Sequence, residues 1–162
     1  MQIKSQFTNA DGSVAHVIYE DVDSFESLDS TKVKQTYAVC LLGGKMVIVL
    51  HGRKNTWGLV GGSIESGESY GDCLKREIKE ESNMKVLDFK PVGYQTVKTG
   101  DKEIYQLRYV CKVEPYGDFV SDPDGNITEI KVIDPKDYRK YFDWGEVGDR
   151  IVERALELKE KL

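Results

Sequence analysis

The chain has 162 residues, a length that fits one domain with its own hydrophobic core. Its 23 basic and 28 acidic residues give a formal net charge of -5, which argues against a protein that grips nucleic acid through a broad basic face. Cys40, Cys73 and Cys111 show no CxxC spacing and indicate reduced thiols, with Cys40 and Cys111 in the core. The sequence starts without a signal-peptide pattern and has no apolar run of membrane-spanning length, so we expect a soluble cytoplasmic protein.

The first 36 residues are predicted to form a strand and an acidic loop. Apolar and polar residues alternate in "SVAHVIYEDV", which indicates a half-buried strand from about Val14 to Tyr19. The polar segment "DVDSFESLDSTK" follows it. This N-terminal region either extends the sheet of the domain or swaps into a partner molecule, and the sequence leaves both alternatives open.

A hairpin and a helix are predicted next. The β-rich runs "TYAVCLL" and "KMVIVL" are separated only by Gly43 and Gly44, which is the spacing of a tight hairpin. The Gly-rich loop "NTWGLVGG" then leads into a helix, for which Ser69 is a good N-cap with Asp72 three residues later. The apolar stripe of this helix consists of Cys73, Leu74 and Ile78.

The second half of the chain adds strands and two further helices. Two long strands are predicted in "VGYQTVKTGDKEIYQLRYVCKV", with Gly100 and Asp101 in their turn, and "ITEIKVI" forms another strand after a loop. Asp134 and Pro135 begin a short helix, and residues 145–162 form an amphipathic closing helix. Hairpins mixed with helices predict one α/β layered domain over residues 1–162.

The helix after the Gly-rich loop concentrates acidic residues in "REIKEE". Glu77 lies one turn from Glu80 and Glu81, and like charges at this spacing repel by roughly a few tenths of a kcal/mol per pair. One interpretation is a solvated acidic face of the helix. The other is a metal platform, because hard divalent cations take carboxylate oxygens as ligands and turn the repulsion into attraction.

Residues 62–84 resemble the Nudix box, GX5EX7REUXEEXGU, in which U is a bulky aliphatic residue. Asn83 stands in place of the glycine of the pattern, just past the helix, where asparagine is the next-best residue for a left-handed turn. Val60 replaces a proline that often precedes the double glycine, outside the pattern itself. The charged positions all match, namely Glu68, Arg76, Glu77, Glu80 and Glu81.

The resemblance implies a fold and a metal site. The fold is an α/β/α sandwich with a central mixed β-sheet and a catalytic loop-helix-loop at residues 61–84. By resemblance, Glu77, Glu80, Glu81 and the carbonyl oxygen of Gly61 bind one or more Mg²⁺ or Mn²⁺ ions, and Arg76 forms an orienting salt bridge with carboxylates that the metal leaves free. The general base is Glu80, Glu81 or a glutamate of a late segment. Candidates for that late glutamate are Glu129, which we prefer, Glu103 and Glu114.

The implied activity is metal-dependent hydrolysis of the pyrophosphate bond in a nucleoside diphosphate linked to another group. A nucleoside triphosphate or an oxidised nucleotide is the first choice of substrate. Alternatives are hydrolysis of nucleotide sugars, dinucleoside polyphosphates or RNA caps, and a Nudix-like nucleotide sensor without catalysis. The expected partner is a small nucleotide derivative, without a membrane or an extended nucleic-acid surface, and the protein is a monomer or a homodimer.

Residues outside the box are expected to recognise the rest of the substrate. Aromatic faces stack on a base and arginines hold an outer phosphate, although each such residue is individually also explained by packing or surface exposure. The candidates are Arg53, Trp57, Tyr105 and Phe119, with Arg108 and Tyr116 as further residues of the same types.

Overall fold

A computed structural model describes residues 2–162 and consists of nine strands and two α-helices. The strands are β1 Gln2–Thr8, β2 Val14–Asp21, β3 Val33–Leu42, β4 Lys45–His51, β5 Thr56–Gly58, β6 Val60–Ser63, β7 Met84–Thr99, β8 Lys102–Pro115 and β9 Ile127–Ile133. The helices are α1 Tyr70–Ser82 and α2 Gly145–Leu158, with 3-10 turns at Pro135–Lys140 and Lys159–Lys161. Within this part of the chain, no helix is both long and apolar enough to cross a membrane.

All nine strands belong to one mixed sheet. Its strand order is β1-β2-β7-β8-β3-β4-β5, while β6 pairs with β3 and β9 pairs with β4. The pairing of β3 with β8 is parallel and the other pairings are antiparallel. Because β4 and β6 both pair with β3 along different stretches, the loop that leads into α1 starts near the middle of the sheet.

The predicted hairpins are present. Leu42 pairs with Lys45 across Gly43 and Gly44, and Thr99 pairs with Lys102 in the second hairpin. The N-terminal region extends the sheet of its own chain, because β2 pairs with β7 and β1 pairs with β2. The strand β1 was not predicted, since most of its side chains are exposed and its sequence lacks the alternation that marks a half-buried strand.

Hydrophobic residues cover both faces of the sheet and bury one helix on each. On one face, Ile151 and Ala155 of α2 pack with strand residues such as Val39. On the other face, Leu74 and Ile78 of α1 pack in a second cluster. The α/β/α sandwich predicted from the sequence is therefore confirmed, and the predicted short helix after Asp134 is a 3-10 turn.

Candidate active site

Strand β6, which precedes the loop into α1, lies against the carboxylates of α1. The backbone N–H of Gly61 donates a hydrogen bond of 2.9 Å to Oε1 of Glu81. A Cβ atom on Gly61 would lie 2.1 Å from the backbone oxygen of Thr36, and one on Gly62 would lie 2.5 Å from the carboxyl carbon of Glu77. Gly61 therefore requires glycine, because β6 passes too close to the backbone of β3 for a side chain, whereas a side chain at Gly62 would displace the carboxylate of Glu77.

Arg76 ties the acidic residues together. Its Nε and Nη2 atoms donate to the two carboxylate oxygens of Glu68 at 2.7 and 2.9 Å, a bidentate pair. Its Nη1 atom donates to Glu77 at 3.0 Å and to Glu80 at 3.3 Å. A further bond of 3.0 Å joins Nη2 to the carbonyl oxygen of Ser63 in the loop. One guanidinium group thus fixes the loop, Glu68 and the helical carboxylates relative to each other.

A cavity of about 450 Å³ opens over these residues. We call it the acidic cavity, because Glu77 and Glu81 of α1 line it together with Asp122 and Asp124 of the loop before β9. Asp122 is buried and accepts backbone hydrogen bonds from Asp124, Asn126 and Ile127, which shapes that loop. Arg53 and Lys54 lie on the wall of the acidic cavity and supply positive charge there.

The carboxylates of α1 are crowded and only partly solvated. Burial raises the pKa of Glu81 to about 8, and repulsion from Glu77, Asp122 and Glu80 adds to this effect, while the hydrogen bond from Gly61 opposes it. Burial also raises the pKa values of Glu77 and Glu80, and Asp124 contributes repulsion to both. The site therefore contains more negative charge than its neighbouring cations compensate.

The donor set fits a hard divalent cation. Carboxylate oxygens and a backbone carbonyl are the ligands that Mg²⁺ and Mn²⁺ prefer, and a cation would offset both the burial and the repulsion that raise these pKa values. Among residues 2–162, no three His, Cys, Asp or Glu side chains are already grouped around one point as metal ligands. Arg76 and the Gly61 N–H hold oxygens of Glu77, Glu80 and Glu81, so a cation would take those that remain.

A larger cavity of about 910 Å³ adjoins the acidic one. We call it the aromatic cavity, because Trp57, Tyr141, Phe142 and Trp144 line it. Tyr37, His51 and Lys54 line both cavities, so the two are next to each other. An elongated ligand could place a charged end beside α1 and a flat apolar end among the rings.

A family model described as "NUDIX domain" matches residues 32–155, which is more than half of the chain. The chain belongs to the Nudix family. It is therefore a Nudix-type hydrolase acting on pyrophosphate bonds, and hydrolases of this family generally use divalent metal ions. The sequence prediction of this family is confirmed.

Solved Nudix structures share the fold at low sequence identity. The pyrophosphohydrolase BsRppH of Bacillus subtilis superposes with a TM-score of 0.72 at 16% identity, over 96% of this chain and 98% of that one. A Nudix-family hydrolase of Clostridium perfringens gives a TM-score of 0.62 at 16% identity, covering 82% of this chain and 100% of that one. The MutT protein of Bacillus halodurans gives 0.55 at 17% identity, with coverages of 74% and 78%.

The structure separates the substrate-binding candidates of this Nudix protein into two groups. Arg53 lines the acidic cavity and Trp57 lines the aromatic cavity. Tyr105 and Phe119 line neither cavity and instead pack against the cluster on the α1 face of the sheet. Tyr116 is exposed. Strand parity separates Tyr105 from Arg108, because residues three apart on β8 face opposite sides of the sheet.

Glu129 lies away from the carboxylates of the Nudix box. It is exposed on β9 and pairs with Leu50 of β4, which in turn pairs with Trp57 of β5. Directly opposed residues share a face of the sheet, so Glu129 lies on the face of Trp57 and α2, whereas α1 packs on the other face. Glu129 does not line the acidic cavity.

Sequence reasoning missed the aspartates of the acidic cavity. Asp122 and Asp124 occur in "SDPDGN", whose Pro, Gly and Asn content marks a loop and gives no sign of where that loop lies. Tyr37 was missed as well, because it sits in an apolar strand run and reads as core. The signal that could have identified these residues is the pair of aspartates, Asp122 and Asp124, in the loop that ends where the predicted strand "ITEIKVI" begins.

Proposed function

We propose that this Nudix hydrolase cleaves the pyrophosphate bond of a nucleoside triphosphate or an oxidised nucleotide in a magnesium-dependent reaction. The observation that carries the proposal is that the two cavities adjoin, with Tyr37, His51 and Lys54 lining both. The acidic cavity offers carboxylates that would hold a cation beside the phosphates, and the aromatic cavity offers flat rings to a nucleobase. The activity printed for the Bacillus subtilis relative, a pyrophosphohydrolase, is of the same class.

The residues of the acidic cavity, together with Glu80 of α1, which does not line it, have distinct roles in this proposal. Glu77, Glu80, Glu81 and the carbonyl oxygen of Gly61 hold Mg²⁺ or Mn²⁺, and Arg76 holds the carboxylates in position. When bound, the cation neutralises phosphate charge and lowers the pKa of a water molecule. Arg53 and Lys54 on the wall of the cavity attract the outer phosphates.

We assign the general base to Glu80 or Glu81 in preference to Glu129. Both belong to the carboxylate cluster of α1, and Glu80 is the more exposed of the two. A general base must reach the water that attacks phosphorus, either directly or through one further water. Glu129, on the face of the sheet that carries Trp57, is less well placed to do so.

The test is a hydrolysis screen with the purified protein. It covers nucleoside triphosphates, oxidised nucleotides, nucleotide sugars, dinucleoside polyphosphates and capped RNA, with and without Mg²⁺, and identifies products by mass spectrometry. We expect Glu81→Gln to lower kcat/KM by at least about 100-fold, since it removes a buried carboxylate from the metal site. The exposed Glu160→Gln on the C-terminal 3-10 turn is the matched control and should retain full activity.

Each result bears on one part of the proposal. Turnover that a chelator abolishes and Glu81→Gln reduces supports both the activity and the site. Turnover that Glu81→Gln leaves intact would overturn the assigned site. Magnesium binding without turnover of any substrate would move the interpretation to the non-catalytic sensor.

A further inference from the structure

Arg108 is a buried cation on the wall of the aromatic cavity. The residue is 4% exposed and lines this cavity together with its neighbours Gln106 and Gln95. It lies on β8, where Leu107 and Tyr109 face the α1 side of the sheet and Arg108 faces the other. An arginine at such a position needs an explanation, because burial of an uncompensated charge is costly.

The surroundings of Arg108 contain neutral partners. Its Nη1 donates to the carbonyl oxygen of Leu107 and its Nη2 to Oε1 of Gln106, each at 3.3 Å. The rings of Tyr37 and Trp144 lie 5.0 and 6.0 Å from its guanidinium carbon. Its Nε has no hydrogen-bond partner in the described chain. The guanidinium is thus stacked and weakly bonded, but it has no counter-anion among residues 2–162.

The other partly buried arginines are all paired with carboxylates. Arg76 pairs with Glu68, Arg150 with Asp21 and Arg154 with Asp23. Burial without such a partner lowers the pKa of Arg108 to about 10, which still leaves the group protonated at neutral pH. Arg108 therefore carries a full positive charge into the wall of a cavity.

The neighbouring amides cannot supply the missing charge. Oε1 of Gln106 also accepts from Nε2 of Gln95, and Nε2 of Gln106 donates to Gln35, so the orientation of the Gln106 amide is fixed by its neighbours. Asp143, the acidic residue on the cavity wall, pairs with Arg139 instead. A neutral edge of a nucleobase would add one more neutral acceptor, whereas an anion would compensate the charge.

We propose that Arg108 binds a second phosphate of the substrate, one attached to the nucleoside on the side away from the scissile diphosphate. The inference rests on the proposed function, because it places the diphosphate in the acidic cavity and the nucleoside among the aromatic rings. The guanidinium edge suits bidentate contact with phosphate oxygens. The shared chemistry is a ribose-linked phosphate, either a 2′- or 3′-monoester or a phosphodiester to a following nucleotide.

The test uses ligands without a pyrophosphate bond, so that it does not depend on hydrolysis. Calorimetry compares adenosine 5′-monophosphate with the 2′,5′- and 3′,5′-bisphosphates and with the dinucleotide pApA, and guanosine and inosine 5′-monophosphate are titrated separately to test for recognition of the base. We expect at least one of the ligands that carry a second phosphate to bind at least tenfold more tightly than adenosine 5′-monophosphate. Preference for a bisphosphate would identify a monoester, and preference for pApA would identify a phosphodiester.

Variants assign the effect to Arg108. Arg108→Met should reduce the tenfold preference to less than about twofold. Arg108→Lys keeps the charge but lacks the planar guanidinium group, and it should retain part of the binding preference. It is the deciding variant if Arg108→Met does not fold. Lys131→Met is the matched control, because it removes an exposed charge that stacks on Trp57 and Tyr141, and it should leave the preference unchanged.

Three outcomes would overturn the proposal. The first is equal binding of all four ligands by the native protein. The second is an equal loss of affinity for every ligand in the Arg108 variants, which would make the residue purely structural. The third is an Arg108-dependent preference for guanosine or inosine 5′-monophosphate without any effect of a second phosphate, which would assign Arg108 to the base edge. None of these results depends on whether the protein hydrolyses pyrophosphate.

Discussion

At the scale of single residues, Arg76 has the most connected side chain of the site. Its guanidinium group donates hydrogen bonds to Glu68 and to Glu77 and Glu80, so it joins the loop before α1 to the helix itself. The contact also lowers the pKa of Glu68 to about 2, mainly through the hydrogen bonds from Arg76. Glu68 is therefore ionised at neutral pH and remains a fixed anchor for the guanidinium.

Arg76→Lys should weaken the metal site. An ammonium group is a point donor and cannot contact Glu68, Glu77 and Glu80 in the same geometry, so the helical carboxylates lose their support. We expect the affinity for Mg²⁺ to fall by about 10–100-fold, the range typical for residues that orient metal ligands. Calorimetric titration with Mg²⁺ and Mn²⁺ measures it directly.

The control for this prediction is Arg139→Lys, because Arg139 also pairs with a carboxylate but does so on the surface near α2. That variant should bind metal as the native protein does. Unchanged metal affinity in Arg76→Lys would mean that the network around Arg76 serves folding alone.

At the scale of elements, the C-terminal end of α1 is hydrogen-bonded to the segment between β8 and β9, which contributes Asp122 and Asp124 to the acidic cavity. Asn83 follows the helix in a left-handed conformation with φ 55°, and its backbone N–H donates to the carbonyl oxygen of Lys79. Its side-chain Nδ2 donates to the carbonyl oxygen of Asp118 at 3.0 Å. The asparagine that departs from the Nudix pattern therefore supplies a tether that glycine could not.

Asn83→Ala and Asn83→Gly separate the two roles of this residue. Both variants lose the bond to Asp118, but only alanine is strained in the left-handed region. We expect Asn83→Ala to be less stable than Asn83→Gly by about 1 kcal/mol, measured as the free energy of unfolding in urea. Equal stabilities would indicate that the helix end moves to relieve the strain.

Some elements can be predicted from their own residues and others cannot. The difference depends on whether the residues that determine an element lie within it or elsewhere in the chain. Gly43 and Gly44 mark a hairpin locally, and Ser69 does cap α1 through a 3.1 Å bond from the N–H of Asp72. The signal for β1 is absent, because most of its side chains are exposed and Ile3 alone of its residues packs against the cluster on the α2 face, while backbone pairing with β2 sets its place. Local chemistry specifies turns and caps, whereas the partner of an exposed strand is set elsewhere in the chain.

The same distinction applies to the site within the whole molecule. The Nudix spacing brings Glu68, Arg76 and the carboxylates together because all lie in one loop and one helix. By contrast, Asp122 and Arg108 reach the cavities only through the tertiary pairing of β8 with β3 and of β9 with β4. Sequence patterns express such pairings weakly, which is why the grouping of the Nudix-box residues could be predicted, whereas Arg53 and Trp57 could be named only by residue type and Asp122 and Tyr37 could not be named at all.

At the scale of the whole molecule, α2 is clamped to the N-terminal part of the sheet by charge pairs. Arg150 donates to both carboxylate oxygens of Asp21, from Nε to Oδ1 at 3.2 Å and from Nη2 to Oδ2 at 2.7 Å, and both side chains are mostly buried. Arg154 adds a bond to the carbonyl oxygen of Val92 on β7. The hydrogen bonds from Arg150 and Arg154 thereby hold α2 against β2 and β7.

This clamp should make stability depend on pH in the acidic range. Burial alone would raise the pKa of Asp21, but the hydrogen bonds and charge of Arg150 outweigh it and leave the pKa below its usual value. A depressed pKa stabilises the fold above the unfolded value of about 3.9, and this stabilisation is lost as pH falls through the folded value. Asp21→Asn should therefore destabilise the protein at pH 7 and much less below about pH 3.

Urea unfolding of the native protein and Asp21→Asn at a series of pH values measures this difference. Asp11→Asn is the control, because Asp11 lies in an exposed turn where its pKa is lowered by hydrogen bonds from Ser13 and not by a buried ion pair. Its effect on stability should be smaller than that of Asp21→Asn at pH 7. If the Asp21→Asn difference stayed constant from pH 7 to pH 3, the clamp would act through packing of the Arg150 side chain, and its charge would not be what holds α2 to the sheet.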